Sequence, residues 1–240
     1  MNALANRRSC FGCLLLALLM LSCQSNDPPG APTVVAEARK SATPLQGPSP
    51  VEQMDRFIAY KPIDKSDPNW KLKLGRPPNV RFPRDLKIYW VLDTNAGVVK
   101  IELKPEYAPR HVSTAIYLTR IGFYDDTIFH RIIPNFMAQG GDPLGTGKGG
   151  PGFTYSSEFP SRPRTHDKRG ILSAANSGPH TDGSQFFLLF DKAEHLDGKH
   201  SIYGQVVEGM GTLAAIEQAG SKSGKPRGKI RIRRASILEE

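Results

Sequence analysis

Phe129-His130-Arg131-Ile132-Ile133-Pro134-Asn135-Phe136-Met137-Ala138-Gln139-Gly140-Gly141-Asp142 holds two short apolar runs, broken by Pro134-Asn135 and closed by a glycine pair. Isoleucine and phenylalanine suit strands, and Pro134-Asn135 suits the bend between them. Arg131 is the oddity: a permanent cation set between His130 and Ile132 in an apolar segment. It must either reach solvent or aim its planar fork of donors at something specific. Gln139, two residues beyond Met137, adds an amide on the same side of an extended strand. One cation, one amide and the large side chains of Phe136 and Met137 describe a small polar–apolar pocket. A buried strand pair with an edge arginine fits this stretch equally well on its own.

Working outward, a folded domain is expected over residues 85–240. Leu86, Ile88, Trp90 and Leu92 alternate with Lys87, Tyr89, Val91 and Asp93, and Val99, Ile101 and Leu103 alternate after Asn95-Ala96-Gly97, which predicts a hairpin. Pro109 opens a helix with Val112, Ala115, Ile116 and Thr119 on one face, and Gly122 closes it. Strands are expected at Ile171–Ala175, Gln185–Phe190 and Ser201–Val207, a second helix at Met210–Ala219, and a last strand containing Ile230 and Ile232. Many short strands with two helices predict a mainly β fold, a closed antiparallel barrel with helices over its ends.

Several features look functional and are read otherwise. Gly145-Thr146-Gly147-Lys148-Gly149-Gly150 satisfies G-x-G-x-x-G, but Pro151-Gly152 follows where a phosphate-binding helix must begin. The six histidines show no ligand spacing on one element, so no metal and no cofactor is expected. The formal charge is +9, and Lys222, Lys225, Arg227, Lys229, Arg231, Arg233 and Arg234 crowd the C-terminal region. A solvated edge guarded by charge accounts for them, and no nucleic-acid partner is expected.

The N-terminal residues read as targeting. Arg7-Arg8 precedes an apolar run, Phe11 to Leu21, too short to span a bilayer, so residues 1–22 are expected to be a signal peptide. Ser22-Cys23 resembles a bacterial lipoprotein cleavage box, although Met20-Leu21 departs from its usual pair; plain signal-peptide cleavage is the alternative. Lipidation at Cys23 implies a membrane anchor in the cell envelope, and Gln24 implies the periplasmic side of the outer membrane. All three cysteines lie at or before Cys23, so no disulfide is expected within the mature chain. Residues 23–50, rich in Pro, Ser, Ala, Gly and Thr, predict a flexible tether. Residues 51–84 contain Phe57, Ile58 and Trp70 among five prolines, and predict an extended arm on the domain surface.

Gly170-Ile-Leu-Ser-Ala-Ala-Asn176-Ser-Gly-Pro-His180-Thr-Asp-Gly-Ser-Gln185-Phe-Phe187 and His195-Leu196-Asp197-Gly198-Lys199-His200, together with the opening stretch, resemble the cyclophilin family of peptidyl-prolyl cis-trans isomerases. The resemblance runs from about Leu86 onward through three motifs in family order. It implies an eight-stranded barrel capped by two helices, with the site on its outer wall, acting as a monomer on proline-containing polypeptides. By motif, Arg131 is the catalytic arginine, acting with Phe136 and Gln139. Phe136, Met137, Phe187, Leu196 and His200 line the proline pocket, and Gln139, Ala175, Asn176 and Gln185 contact the substrate backbone. His195 stands where many members carry tryptophan, Ala174 where methionine is common and Asp182 where asparagine is common. The His195 departure implies weak binding of cyclosporin. The expected role is assisting the folding of exported or envelope proteins.

Overall fold

The alternation around Trp90 yields β1 (Ile88–Thr94), paired antiparallel with β2 (Gly97–Leu103). The computed structural model describes residues 47–240, which fall in one compact unit. β3 (Arg131–Ile133), β4 (Met137–Gly140), β5 (Ile171–Ala174), β6 (Phe186–Leu189), β7 (Ile202–Glu208) and β8 (Ile232–Glu239) complete a single sheet. Its order is β3-β4-β6-β5-β7-β2-β1-β8, with every neighbouring pair antiparallel. Among the described residues three α-helices accompany it: α1 (Pro50–Tyr60), α2 (Pro109–Arg120) and α3 (Met210–Gln218).

The ladder does not close as expected. β3 and β8 are the two ends of the order, and no strand pairing joins them. Irregular chain occupies the gap instead. Asp126 N–H donates to the Ile232 carbonyl, Phe129 N–H to the Ile230 carbonyl, and Ile128 forms a single bridge to Arg231. On the free edge of β3, Ile132 N–H donates to the Gly224 carbonyl at 2.8 Å and Ser221 N–H to the Ile132 carbonyl at 3.1 Å. A three-residue β3 is too short to pair with β8, so loops satisfy both edges and leave an open half-barrel.

The arm also differs from expectation: residues 50–60 are helical. Ser49 is the N-cap of α1, its hydroxyl accepting from Glu52 N–H while Glu52 reaches back to Ser49 N–H, with Pro50 in the first turn. This capping box stood in the sequence as Ser49-Pro50-Val51-Glu52, and the surrounding prolines masked it. The helix docks on α2 and β8. Met54 is fully buried, Phe57 meets Tyr117 edge-on at 5.9 Å, Arg120 clamps Asp55 through two bonds, and Glu239 holds Ser49 and the Val51 N–H. Further along, Leu74 N–H donates to the Pro151 carbonyl and Val80 N–H to Ser113 Oγ, so this segment is tied to the sheet domain. Among the described residues no helix is long and apolar enough to cross a membrane. The signal and tether readings, including Cys23, fall mainly outside the described residues.

The period of two in the strands produces two apolar faces. Trp90, Tyr124, Phe129 and Phe186 fill the interior, with Phe186 only 4.8 Å from Trp90. Phe187 and Leu189 point to the opposite face, where they join Met137, Ile171, Ala193 and Ile202 in a second cluster. That outer cluster carries the site.

Candidate active site

Each side of the site is set by strand register. Arg131 on β3 pairs with Gln139 on β4, and Gln139 pairs with Phe187 on β6. All three therefore project from the outer face in a row across the sheet. The turn between β3 and β4 closes through Phe136 N–H to the Ile133 carbonyl, with Asn135 at φ +60 and its N–H held by Glu217 Oε1. Phe136 is thereby placed beside Met137. Phe136, Ala175 and Leu196 all pack against the buried cluster containing Met137 and Phe187.

The result is an apolar cup with a polar rim. His200 stands edge-on to Phe187 at 5.4 Å and donates Nδ1–H to the Ala174 carbonyl at 2.9 Å, which orients its ring. His195, exposed, lies tilted over Phe136 at 5.6 Å. Arg131 is exposed, with Nη1 3.5 Å from Gln139 Oε1. Among the described residues no carboxylate lies within ion-pair distance of it. Gln139 Nε2 donates to Gln185 Oε1 at 2.9 Å, and Gln185 Nε2 donates to the carbonyls of Gly147 and Gly149. Asn176 donates to Asp182 Oδ1 at 2.9 Å and to the Lys199 carbonyl. Beside Gln139, Ala175, Asn176 and Gln185 a groove of about 750 Å³ runs over the glycine loop. The predicted pocket residues thus come together, with Arg131 at one end and Asn176 at the other.

The structure adds contacts that the motifs did not supply. The glycine loop wraps the Asp142 carboxylate, which accepts from Leu144 and Thr146 N–H at 2.8 Å each, and its carbonyls grip Gln185. These backbone donors hold the Asp142 carboxyl below its usual range against the opposing effect of burial. His166, fully buried, stacks on Phe187 at 6.1 Å. Burial pushes its imidazole below the ordinary value, Asp197 opposing. Its Nδ1 meets Asp197 Oδ1 at 2.7 Å and its Nε2 lies 3.0 Å from Ser173 Oγ, whose hydroxyl donates to the Ser201 carbonyl. Behind Asn176, Asp182 Oδ2 faces His111 Nε2 at 3.4 Å, and His111 Nδ1 meets Glu158 at 2.7 Å. The only signal for these in sequence was the Asp182 departure; His111, Glu158 and His166 had none. Among the described residues no group of three His, Cys, Asp or Glu is placed to hold a metal.

A family model for cyclophilin type peptidyl-prolyl cis-trans isomerases matches residues 89–237. The chain belongs to this family. A peptidyl-prolyl cis-trans isomerase-like 2 of Cryptococcus neoformans is 41% identical to this cyclophilin over 174 residues, which are 70% of this chain and 30% of that one. A peptidyl-prolyl cis-trans isomerase-like 1 of Gibberella zeae is 45% identical over 155 residues, 62% of this chain and 94% of that one. The crystal structure of a Cryptosporidium parvum cyclophilin type isomerase in the presence of the dipeptide Ala-Pro superposes with a TM-score of 0.59 at 37% identity, covering 62% of this chain and 98% of that one. This cyclophilin therefore spans about a third of the first relative's length. These relatives are eukaryotic and lend no support to a bacterial lipoprotein form.

Proposed function

We propose that this cyclophilin isomerises X-Pro bonds in proline-containing polypeptides, as a monomer and without metal or cofactor. The observation that carries the reading is Arg131, an exposed cation without an ion-pair partner among the described residues, held by strand register beside the apolar cup of Phe136, Met137 and Phe187. Rotation about the peptide bond faces a barrier of about 18–20 kcal/mol because the C–N bond is partly double, and uncatalysed X-Pro exchange takes tens to hundreds of seconds. No bond breaks, so the protein must only favour the twisted state.

In that state the prolyl nitrogen becomes pyramidal and gains a lone pair. Arg131 donates to it while holding the proline's own carbonyl, and so stabilises the twisted state more than either planar one. Gln139, fixed through Gln185 and the glycine loop, keeps an amide beside that guanidinium. The cup grips the ring and excludes water, and Ala175 and Asn176 anchor the residues that precede the proline. Exchange spectroscopy on an Ala-Pro peptide tests this: catalysed cis–trans exchange is expected, and an uncatalysed rate with folded protein would refute it.

The service we infer is assistance to the folding of exported or envelope proteins, from a lipid anchor at Cys23 on the periplasmic side of the outer membrane. It rests on the basic and apolar leader ending at Ser22-Cys23. Two acyl chains hold a protein stably where one does so marginally. Cell fractionation of the natural chain and Cys23→Ser decides it. Release of the variant alone is expected, and equal retention of both would remove the anchor.

A further inference from the structure

We propose that the Ser221–Arg227 loop extends the site into a cationic subsite that selects acidic residues shortly after the proline. The inference rests on the isomerase reading and names its substrate class. The loop abuts the catalytic arginine. Gly224 lies at φ +84, and a Cβ there would stand 3.1 Å from Arg131 Cγ. Its carbonyl receives the Ile132 N–H, and Ser221 N–H returns a bond to the Ile132 carbonyl. Within the loop, Gly224 N–H donates to the Ser221 carbonyl, Ser221 Oγ to the Lys225 carbonyl at 2.7 Å, and Arg227 N–H to the Ala219 carbonyl at 2.7 Å. The backbone is thus tied down, while Lys222, Lys225 and Arg227 are all exposed. None of them has a carboxylate within ion-pair distance among the described residues. The nearby Glu217 is already committed to Arg169 and the Asn135 N–H.

Sheet order gives the polarity. From Asn176 at the end of β5 the outer face runs across β6 and β4 to β3, and the loop lies on the far edge of β3. A peptide with its preceding residues at Asn176 and its proline carbonyl at Arg131 must leave over that edge. Strands lie about 4.8 Å apart and an extended chain advances about 3.3 Å per residue. The second and third residues after the proline therefore pass the loop. Four cations, Arg131 among them, favour carboxylates there within a screening length of about 8 Å at physiological salt.

The test uses the full chain and peptides of one sequence bearing Glu, Gln or Lys at the second and third positions after proline. Exchange spectroscopy is chosen because a coupling protease would impose its own preference. The Glu peptide is expected to exceed the Lys peptide in kcat/KM by about fivefold or more at low salt, the gap shrinking toward unity near 1 M salt. In Lys222→Gln/Lys225→Gln/Arg227→Gln the ratio should fall to about two or less, with the Gln peptide as each protein's internal reference. Equal turnover of the three peptides by the natural protein, or an unchanged ratio in the variant, would overturn the subsite while leaving the isomerase standing. Absence of catalysis on every peptide would overturn both.

Discussion

Asp182 accepts a hydrogen bond from the Asn176 amide at 2.9 Å, and its other carboxylate oxygen faces the buried ring of His111 at 3.4 Å. The Asn176 amide is thus backed by a buried ion pair, continued to Glu158. His111 and Asp182 are both fully buried. Burial alone would lower the His111 pKa, but Asp182 and Glu158 outweigh it and hold the ring above its ordinary value of 6.5. The same contacts hold Asp182 and Glu158 below the usual carboxylate range, against the opposing effect of burial.

The pair makes stability depend on pH in two windows. The His111 contribution is complete below its unfolded value of 6.5 and is lost as pH rises through the raised folded value. The carboxylate contributions are complete above their unfolded values, about 4, and are lost as pH falls through the lowered folded values. Maximum stability is expected between these limits. His111→Gln should cost about 3–5 kcal/mol by stranding Asp182, and should flatten the alkaline limb of a Tm-versus-pH series. Adding Asp182→Asn should recover much of the loss, since an asparagine oxygen still accepts from Asn176. A double variant no more stable than the single would show that the pair is not the source.

Arg131→Ala should leave the fold intact, because the side chain is exposed, and remove most activity. Losing a preorganised donor to developing charge costs about 3–4 kcal/mol, a factor of about 10²–10³ in kcat. Exchange rates on an Ala-Pro peptide, with circular dichroism alongside, measure it; more than half the activity retained would contradict the mechanism.

Gly224→Ala tests how closely the loop governs Arg131. A side chain at φ +84 is strained, and its Cβ would crowd Arg131 Cγ at 3.1 Å. About 1 kcal/mol of stability should be lost. Displacing the guanidinium by a fraction of an ångström should lower kcat/KM about tenfold, since 1 Å errors cost up to about 10². Loss of stability with unchanged kcat/KM would separate the loop from catalysis.

His195 lies exposed over Phe136 at the rim. A tryptophan at this family position lies against cyclosporin and donates its ring N–H. A large aromatic buries about 150–250 Å², and losing a third of that costs roughly 1–2 kcal/mol. A misplaced hydrogen bond adds about 1 kcal/mol, for a weakening of roughly 30- to 150-fold. His195→Trp should restore inhibition with little change in turnover of short peptides. Tight inhibition of the natural protein in a cyclosporin titration would show that the rim does not depend on this residue.

The strands that carry the site could be read from the sequence because their cause is local. Alternation around Trp90 follows from the two-residue period of extended backbone, Pro109 fixes φ at the start of α2, and Gly122 takes φ +71 just past its end, where a side chain would be strained. The motif residues Arg131, Gln139, Asn176, Gln185 and Phe187 were named on resemblance to a family; strand register brings Arg131, Gln139 and Phe187 to one face, and a hydrogen bond joins Gln185 to Gln139. What tertiary structure alone decided are the meetings of distant segments. They include α1 docked through Ser49 on Glu239, the seam left open between β3 and β8, and His166 beneath Phe187. They also include His111 against Asp182, and Gly224 against Arg131. Periodicity and capping act over a few residues and leave a pattern in the sequence. A buried ion pair or a loop laid on an edge strand depends on which elements the sheet order makes neighbours, and that order is set by the packing of the whole core.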